Sequence, residues 1–389
     1  MKYVVNKRNF IILFLAATFN YIGSFMTESL LSVYSKQLGA TDILVGMVSG
    51  VFYAVALITR PFTGTAMDCY SRKRLFILFS LGNMLALIGY STATNIWMII
   101  AFRALQGCTY GAVAALTLVM SAETLDQEHL TSGVAAFSMS QIFPRLIGPG
   151  LGLKLSENYG FRTLYISAAS VVLIGIILCF FLKEEPREYA KFRLTLNSVI
   201  AVEAMVPILA MLIMNFCISA TTSFMMLHIN ERGIEHVEYY FIVSSVAMLV
   251  LRPLFGTLAD KYGTDKILVV TLLALFVAMN IFARAHSFLD LVLYGIFNSI
   301  GYSATVSLLQ ALVMRVTPPS RRGAASSSTY IGSDVGLVIG NLINGSIAAR
   351  YGYQTLFTVF SLPLFLAIAV IVIWVRKNHG IPVPESTEG

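Results

Sequence analysis

Two segments of this chain recur at one spacing of 192 residues, about half of its length of 389. RPFTGTAMDCY at 60–70 returns as RPLFGTLADKY at 252–262, and YGFRTLY at 159–165 returns as YGYQTLF at 351–357. Two echoes at the same offset indicate an internal duplication. We therefore expect two copies of one unit, each with a charged turn at the same position.

The composition places both copies in a membrane. Hydrophobic residues make up 57% of the chain and charged residues 12%, about half of the ~25% usual in soluble domains, and the mean hydropathy is +0.76. Apolar runs of about 20 residues, enough to cross a ~30 Å hydrocarbon core, recur along the chain. They lie near 10–32, 43–66, 75–94, 97–120, 132–154, 163–182, 199–223, 238–259, 267–285, 289–314, 324–348 and 355–375.

The predicted fold is accordingly an all-α membrane protein with twelve transmembrane helices in two pseudo-symmetric six-helix bundles. The first bundle covers residues 1–182 and the second 198–377. A hydrophilic cytoplasmic linker, 183–197, joins them, and 378–389 form a tail whose composition is typical of disorder.

The net charge of +7 indicates orientation and not nucleic-acid binding. If the N-terminus is cytoplasmic, 17 of the 27 Lys and Arg residues lie in the tails and inner connections. Four lie within spans, and the outer face holds only Lys36, Lys154, Arg162, Arg232, Arg284 and Arg350. This bias predicts that both termini are cytoplasmic. Short loops and tails favour a bacterial cytoplasmic membrane, with a monomer as the expected state.

No catalytic or metal-binding pattern accompanies the spans. The four cysteines have neither disulfide nor metal-ligand spacing, and no two histidines pair on a helix face. Phosphate-binding loops, nucleophile triads and dinucleotide fingerprints are missing as well. We expect no metal, no cofactor and no enzymatic activity. No cleavable signal is apparent, because the first apolar run is long enough to span.

The two charged turns are candidate conformational latches. Each has a glycine that permits close helix approach and an aspartate four residues later, Gly64 with Asp68 and Gly256 with Asp260. An aspartate there is placed to cap a neighbouring helix N-terminus or to pair with a cation. Such a contact would form when the cytoplasmic side closes. The alternative is that the basic residues only anchor the turn.

Both turns resemble the signature loop of the major facilitator superfamily, G-x-L-a-D-r-x-G-R/K-R/K. The first copy keeps Arg72 and Lys73 but has Ser71 where the family prefers glycine, and the second has Thr264 and Asp265 in place of the tandem bases. Arg103 begins an R-x-x-Q-G motif in span 4, which the family also shows. The resemblance covers the whole chain and implies the twelve-helix fold of that superfamily.

A further motif resembles the antiporter branch of that superfamily. Gly148, Pro149 and Gly152 in span 5 match its G-P-x-x-G core, although Pro144 and Ala135 stand where the branch has further glycines. The resemblance implies drug or metabolite export in exchange for protons. A kink or close helix packing, which neighbouring helices make tolerable in a membrane, is the alternative reading of the motif.

Polar stripes on spans 1, 4, 7 and 10 predict a binding cavity. In span 1 they are spaced i, i+4 and i+7, so they share one helix face, and span 7 repeats the spacing. The resemblance implies that these four helices line a transport path; interhelical hydrogen bonding is the alternative. The predicted cavity residues are Asn20, Tyr21, Ser24, Thr27, Gln106, Tyr110, Arg145, Asn215, Phe216, Ser219, Asn298 and Tyr302.

Two acids and one base are candidates for proton coupling. Glu28 follows the span 1 stripe and has Ser223 as its repeat partner rather than an acid. Burial raises the pKa of a carboxyl group, as a proton carrier requires; a rim contact or no role are the alternatives. Asp334 is the other intramembrane acid, and Arg103 could orient an acid, bind an anion or bond backbone carbonyls.

The resemblance also implies that span 2 packs on span 11, so an Arg60–Asp334 pair would join the inner latch. Arg252 is the repeat partner of Arg60. The predicted latch set is Gly64, Asp68, Arg72, Lys73, Gly256, Asp260, Arg60 and Arg252.

These patterns predict a secondary transporter that works by alternating access, with a small-molecule substrate, protons and the lipid bilayer as partners. Efflux of an amphipathic or drug-like compound by proton antiport is the first expectation. The alternative is a proton-coupled importer of a small metabolite, with an anionic metabolite as one case. A transporter-like sensor is a different class, and it would be expected to carry a large cytoplasmic appendage.

Overall fold

The computed structural model describes residues 7–125, 130–183, 201–318 and 322–377, and every regular element in those ranges is helical. The predicted tail and nearly all of the predicted linker lie outside these ranges. The first half contains α1 (Lys7–Glu28), α2 (Leu31–Gln37), α3 (Asp42–Cys69), α4 (Arg72–Thr92), α5 (Ile96–Glu123) and α6 (Leu130–Phe180).

The second half begins with a 3-10 turn, Val202–Ala204, and continues through seven further helices. These are α7 (Met205–Arg232), α8 (Val237–Tyr262), α9 (Thr264–Ala283), α10 (Phe288–Asn298), α11 (Thr305–Val316), α12 (Arg322–Ser361) and α13 (Pro363–Lys377). A π-helical segment, Ser299–Ala304, links α10 to α11 without a break, so together they form one span.

Within the described ranges, ten helical stretches are long and apolar enough to cross a membrane. Two of these stretches, Met139–Phe180 and Ser328–Lys377, contain 42 and 50 residues, about twice the ~20 that one crossing needs. Each reverses at a glycine in the left-handed region, Gly160 (φ 79°, ψ 168°) and Gly352 (φ 77°, ψ 170°). Two hairpins and eight single spans give the twelve crossings that the sequence predicts, which confirms that prediction.

These two glycines also show the duplication in three dimensions. They lie 192 residues apart, within the echoed YGFRTLY and YGYQTLF segments. Glycine has no Cβ and adopts a positive φ without steric cost, so it permits the same sharp reversal in both copies. The repeated sequence therefore corresponds to a repeated backbone geometry.

The chain forms two compact units. The first contains Met1–Ala40 and Ala54–Leu194, and the second contains Thr41–Tyr53 and Thr195–Gly389. Residues 41–53, which include the beginning of α3, group with the second unit. The predicted domain boundaries stay a prediction. In the first unit α1 packs along α6, and in the second unit α7 packs along α12.

Local signals explain several helix boundaries. The Ser71 side chain accepts a hydrogen bond from the Arg74 amide (3.2 Å) and so caps the start of α4. Ser287 and Asp290 form a capping box that begins α10. Gly233 ends α7 in the left-handed conformation (φ 63°). Membrane burial favours helices in general, and these residues decide where individual helices start and stop.

Candidate functional site

The polar stripe of α1 is buried inside the first unit, where it joins a hydrogen-bond network. The Asn20 side-chain amide donates to Ser80 Oγ (2.8 Å), and Asn83 Nδ2 contacts both Asn20 Oδ1 (3.2 Å) and Ser24 Oγ (3.1 Å). Gln106 Nε2 reaches Asn83 Oδ1 (3.4 Å). Asn20, Asn83 and Gln106 are each no more than 3% exposed. Helices α1, α4 and α5 are thus joined through amide side chains.

Arg103 extends this network on α5. Its Nη1 donates to Gln106 Oε1 (2.6 Å), which also accepts from the Tyr90 hydroxyl (2.9 Å). Arg103 is 5% exposed and Tyr90 is 1% exposed. A charged guanidinium at this depth is costly unless polar groups surround it. The amide and hydroxyl groups of the network provide those polar surroundings.

These contacts correspond to the interhelical alternative considered for the stripe. Asn20, Ser24 and Gln106 bond to polar side chains of their own unit, and cavity lining by them stays a prediction. The sequence reasoning missed Ser80, Asn83 and Tyr90 on α4. The available signal was the presence of serine, asparagine and tyrosine within an otherwise apolar span.

Tyr21 links α1 to two other helices. Its hydroxyl lies 3.3 Å from Thr117 Oγ1 and accepts from Gln141 Nε2 (3.1 Å). Its ring meets Tyr110 edge to face at 6.2 Å between centroids. Thr27, also buried, donates to the Ser24 carbonyl (3.0 Å) and so bonds within α1. Tyr110 is itself a predicted cavity residue and is half-buried.

Glu28 is the last residue of α1 and is half-buried. Arg145 on α6 is exposed, and its guanidinium lies over the Phe25 ring at 5.2 Å from the centroid. A cation over an aromatic face is attracted by the ring quadrupole. The α1 end therefore carries an acid, and a base lies beside its last turn.

The G-P-x-x-G motif forms the tightest contact between α6 and α1. A Cβ at Gly148 would lie 2.9 Å from Phe25 Cβ, and one at Gly152 would overlap the Met26 carbonyl oxygen. Pro149 is buried between them. Only a residue without a side chain lets the two backbones approach this closely, as small residues do in membrane helix pairs. This arrangement matches the close-packing reading of the motif; a role in antiport stays a prediction.

The second unit has its own polar cluster, between α7 and α12. Ser223 Oγ donates to Asn341 Oδ1 (2.5 Å), and Asn344 Nδ2 reaches Asn341 Oδ1 (3.2 Å) and Ser219 Oγ (3.4 Å). Asn215 bonds the Met211 carbonyl within α7 (2.9 Å). Sequence reasoning missed Asn341 and Asn344, although two asparagines three residues apart in an apolar span are a clear signal.

The remaining predicted cavity residues of the second unit differ in environment. Phe216 stacks on Phe360 at 4.8 Å between ring centroids. Asn298 ends α10 and its Oδ1 is buried with no hydrogen-bond partner among the described residues. Tyr302 lies in the π-helical segment and is half-buried. Single π turns are frequent at functional sites, so this segment is the most distinctive backbone feature near a predicted cavity residue.

Asp334 is deeply buried on α12, at 3% exposure. The glycines on either side of it pack closely on α7: a Cβ at Gly332 would lie 2.7 Å from Ile208 Cγ2, and one at Gly336 would overlap the Leu212 carbonyl. Arg252 bonds Ser307 Oγ within the second unit (2.5 Å), and Arg60 on α3 is half-buried. Pairing of Arg60 with Asp334 stays a prediction.

The predicted latch residues have different surroundings in the two turns. Arg72 contacts the Glu123 carboxylate and the Met67 carbonyl, and Lys73 bonds the carbonyls of Phe180 and Leu182. In the other turn Asp260 is exposed, and a Cβ at Gly256 would meet no atom within 4 Å. Gly64 and Asp68 lie in α3, and their surroundings fall outside the described part of the structure.

The first turns of α3 are bound to α12 inside the second unit. A Cβ at Gly46 would lie 2.5 Å from the Asn341 carbonyl, and one at Gly345 would lie 2.7 Å from the Asp42 carbonyl. The Tyr353 hydroxyl donates to Asp42 Oδ1 (2.9 Å). The glycine contacts agree with the predicted packing of span 2 on span 11. The hydrogen bond between Tyr353 and Asp42 was not predicted.

His228 was not predicted as a site, yet it is fully buried on α7. Its Nε2 lies 3.1 Å from the Phe282 carbonyl, and Phe282 and Phe357 surround its ring. No cluster of three metal-ligating side chains occurs among the described residues.

Twelve crossings, two units with matching hairpins and buried polar clusters define a multi-pass membrane protein built from a duplicated six-helix unit. The family model of the Major Facilitator Superfamily matches residues 13–288 and 237–389. The chain therefore belongs to the Major Facilitator Superfamily, as its motifs predict, and it is a membrane-embedded transporter of small molecules rather than an enzyme.

Curated relatives span nearly the whole chain. It is 22% identical to the multidrug resistance protein MdtG of Enterobacter lignolyticus over 94% of both chains. It is 24% identical to the multi-drug resistance efflux pump PmrA of Streptococcus pneumoniae over 88% of this chain and 91% of that one.

Solved structures share the fold at lower identity. The nucleoside transporter NupG superposes with a TM-score of 0.77 at 13% identity, over 94% of this chain and 98% of that one. The peptide transporter POT in complex with sulfate gives 0.79 at 12%, over 95% and 94%. The human organic anion transporter MFSD10 gives 0.71 at 16%, over 94% and 99%.

Proposed function

We propose that this transporter exports amphipathic, drug-like compounds in exchange for protons. The observation that carries the proposal is the similarity to MdtG and PmrA, proteins named for multidrug resistance, over about nine-tenths of each chain. The resemblance of Gly148, Pro149 and Gly152 to the motif of the antiporter branch supports the proposal.

The proposed setting is the bacterial cytoplasmic membrane, with a monomeric chain and both termini in the cytoplasm. The bias of Lys and Arg toward the tails and inner connections supports this orientation. Under this topology the Gly160 and Gly352 hairpins face outward. A membrane-impermeant reagent should label a cysteine introduced at exposed Tyr159 in intact cells, and labelling only after lysis would reverse the topology.

Export is tested with intact cells and a panel of fluorescent cationic and neutral compounds. Cells that produce the protein should retain less compound than cells with an empty vector, and a protonophore should abolish the difference. Greater retention in producing cells would instead identify uptake. An Arg103→Ala variant of matched abundance serves as the inactive reference, because Arg103 is the buried base of the first unit.

Glu28 is the proposed proton carrier. It ends the polar stripe of α1 and is half-buried, so its carboxyl group is accessible to water yet adjacent to apolar surroundings. Asp334, at 3% exposure, is the second acid. Arg103 would then orient the polar network that surrounds the stripe rather than bind the proton itself.

Substrate-induced proton release in detergent tests this assignment. Glu28→Gln keeps the size of the side chain but removes its titration, so release should be lost while substrate binding persists. Glu157→Gln, an exposed acid on α6, is the matched control and should release protons as the wild type does. Undiminished release from the Glu28 variant would remove Glu28 from the mechanism, and Asp334→Asn would be tested next.

The charged turn is proposed to act as a cytoplasmic latch. Asp68→Asn should leave the protein folded and shift it toward the inward-open state, because only contacts that differ between two states shift their populations. The readout is the labelling rate of cysteines in the cytoplasmic cavity. An unchanged rate would leave the turn with an anchoring role only.

Proton-coupled import of a small anionic metabolite is the second candidate. Two bases favour it: Arg103 in the buried network and Arg145, which is exposed beside the last turn of α1. A guanidinium binds carboxylate or phosphate through paired hydrogen bonds. Uptake of a labelled anion that requires the proton gradient and is lost in Arg145→Gln would favour import over export.

A further inference from the structure

The second unit carries a basic pocket at the end where its hairpin reverses. The pocket has a volume of about 590 Å³, within the size range of ligand sites. Arg232 at the end of α7 and Arg284 after α9 line it, together with Glu231 and the first residues after Gly352. Two guanidinium groups against one carboxylate leave the lining with a net positive charge.

Backbone groups add to this positive character. The second arm of the α12 hairpin begins directly after the left-handed Gly352, so Gln354 and Thr355 lie in its first turn. The first amide groups of a helix have no partner within the helix and attract anions. Because the guanidiniums and this helix start line one cavity, the pocket is suited to a phosphate or carboxylate group.

Arg232 is held in place by neutral acceptors. Its Nη2 donates to Gln354 Oε1 (2.7 Å), and its Nη1 lies 3.0 Å from the His286 ring. Neither partner carries a negative charge, so the guanidinium is positioned without being neutralised by them. Arg284 is positioned in the same way, by the Asn280 carbonyl (3.2 Å) and side-chain oxygen (3.3 Å).

The repeat shows that the fold does not require these charges. The positions 192 residues before Arg232, Arg284 and His286 are Ala40, Thr92 and Thr94, and the same hairpin forms there at Gly160. Bases are also scarce on the predicted outer face, where Arg232 and Arg284 are two of only six. Their convergence on one pocket therefore calls for a ligand-based reason.

Exposed apolar side chains continue from the pocket past the end of α12. Val359 in α12 lines the pocket and is 39% exposed, Leu362 between α12 and α13 is 53% exposed, and Leu366 in α13 is 57% exposed. All three belong to the apolar stretch that runs on from the pocket to Lys377. A ligand for both features has a charged head and an acyl tail.

We propose that this pocket binds the headgroup of a zwitterionic phospholipid, with the phosphate on Arg232 and Arg284 and the ammonium group on Glu231. The acyl chains lie along Val359, Leu362 and Leu366. Glu231 is 56% exposed at the pocket and supplies the carboxylate for an ammonium. The assignment is independent of which compound the transporter moves and of what drives it.

Native mass spectrometry of the full-length purified protein tests the proposal by titration with phosphatidylethanolamine. Arg232→Gln with Arg284→Gln should raise the apparent Kd at least about tenfold, the effect of losing charge-assisted hydrogen bonds. Arg350→Gln is the matched control: Arg350 lies at the same end but over the Tyr351 ring, outside the pocket lining. Its Kd should stay within about twofold of the wild type, as for a surface charge.

Gln354→Glu provides a second variant that removes no arginine. The new carboxylate would replace the Gln354 oxygen that now accepts from Arg232, and an acid is well tolerated in the first turn of a helix. It should weaken lipid binding while the thermal midpoint stays at the wild-type value. Unchanged Kd values in both this variant and the double arginine variant would overturn the proposal.

The choice of ligands separates the remaining outcomes. Diacylglycerol with the same chains lacks the headgroup and should bind weakly; equal binding would assign the surface to nonspecific acyl contact. Inorganic phosphate bound as tightly as the lipid would assign the pocket to a free anion. If phosphatidylglycerol, which has no ammonium group, bound as tightly as phosphatidylethanolamine, Glu231 would have no role in recognising the headgroup. The assignment to a zwitterionic lipid would then be wrong. Each of these three results contradicts the proposal.

Discussion

The charged turn of the first unit and its counterpart in the second have the same place in the fold but different local chemistry. In the first turn Ser71 (φ −57°) caps α4, and Arg72 and Lys73 contact Glu123 and the carbonyls that end α6. In the second, Gly263 precedes α9 with φ 101° and provides no side-chain cap. Side-chain hydrogen bonds stabilise the first turn, whereas the second turn depends on a glycine that adopts a positive φ without steric cost.

The partners of these residues changed together. The positions 192 residues after Arg72, Lys73 and Glu123 hold Thr264, Asp265 and Arg315, so the base and the acid of the first turn are both replaced. The hairpin glycines, in contrast, are kept in both units. The difference teaches that duplication preserves the backbone reversals that the fold requires, while polar contacts around them diverge because several arrangements stabilise the same turn.

The two units also differ where α6 packs on α1 and where α12 packs on α7. Giving each unit the residue of the other at this position should have the largest effect on stability. Gly152 corresponds to Asn344, which bonds Ser219 and Asn341. Gly152→Asn should cost at least about 3 kcal/mol, the upper end for overpacking, because its Cβ would overlap the Met26 carbonyl. Asn344→Gly should cost only about 1–2 kcal/mol, from lost hydrogen bonds and helix propensity.

Thermal midpoints measured by size-exclusion chromatography in one detergent check this asymmetry. Gly256→Asn is the control, since a Cβ there meets no atom within 4 Å, and it should leave the midpoint nearly unchanged. Equal losses for the two exchanged residues would show that both units pack alike at this position.

The polar networks provide the second test. Gln106 Oε1 accepts from Arg103 and Tyr90, whereas Oδ1 of its counterpart Asn298 is buried without a partner among the described residues. Gln106→Ala should therefore destabilise the protein by about 2–3 kcal/mol, and Asn298→Ala by less than about 1 kcal/mol. Chemical unfolding, followed by far-ultraviolet circular dichroism, gives the change in the free energy of unfolding for each variant. A larger effect at Asn298 would indicate that its environment supplies a partner.

The helix start after each charged turn is the third test. Ser71→Ala should cost about 1 kcal/mol through the lost cap, and Ser71→Gly only a few tenths. Gly263→Ala should cost about 1–2 kcal/mol, because a Cβ is strained at φ 101°. The midpoints of the three variants decide the matter: if Ser71→Ala is neutral, the hydrogen bond to the Arg74 amide does not stabilise α4.

The smallest expected effect concerns the paired arginines of the repeat. Arg252 bonds Ser307 within its own unit, whereas its counterpart Arg60 is predicted to pair with Asp334. A double-mutant cycle of Arg60→Ala and Asp334→Ala, read from transport rates, should show coupling above about 0.5 kcal/mol. The Arg252→Ala and Asp334→Ala cycle should show none. Additive losses of transport rate in the first cycle would show that Arg60 and Asp334 do not interact.

Much of the fold was predictable because it depends on properties that a sequence displays directly. Apolar runs and charge bias predicted the crossings, and the 192-residue echoes predicted two copies. The close packing of Gly148 and Gly152 matches the alternative reading that the sequence offered for their motif. The network was only half predictable. The stripes on α1 and α5 were identified, but Asn83 and Tyr90 on α4 were not. Their residue types are visible in the sequence, whereas the neighbouring helix that each side chain faces is not.

The sequence by itself determined the family, the twelve crossings and the internal duplication. Those features depend on hydrophobicity and on motif spacing, which are properties of the sequence. The tertiary structure alone decided that the α1 stripe is bonded to α4, that the start of α3 groups with the second unit, and that Arg232 and Arg284 share a pocket. Such contacts join residues far apart in the chain, and only helix packing determines which of them meet.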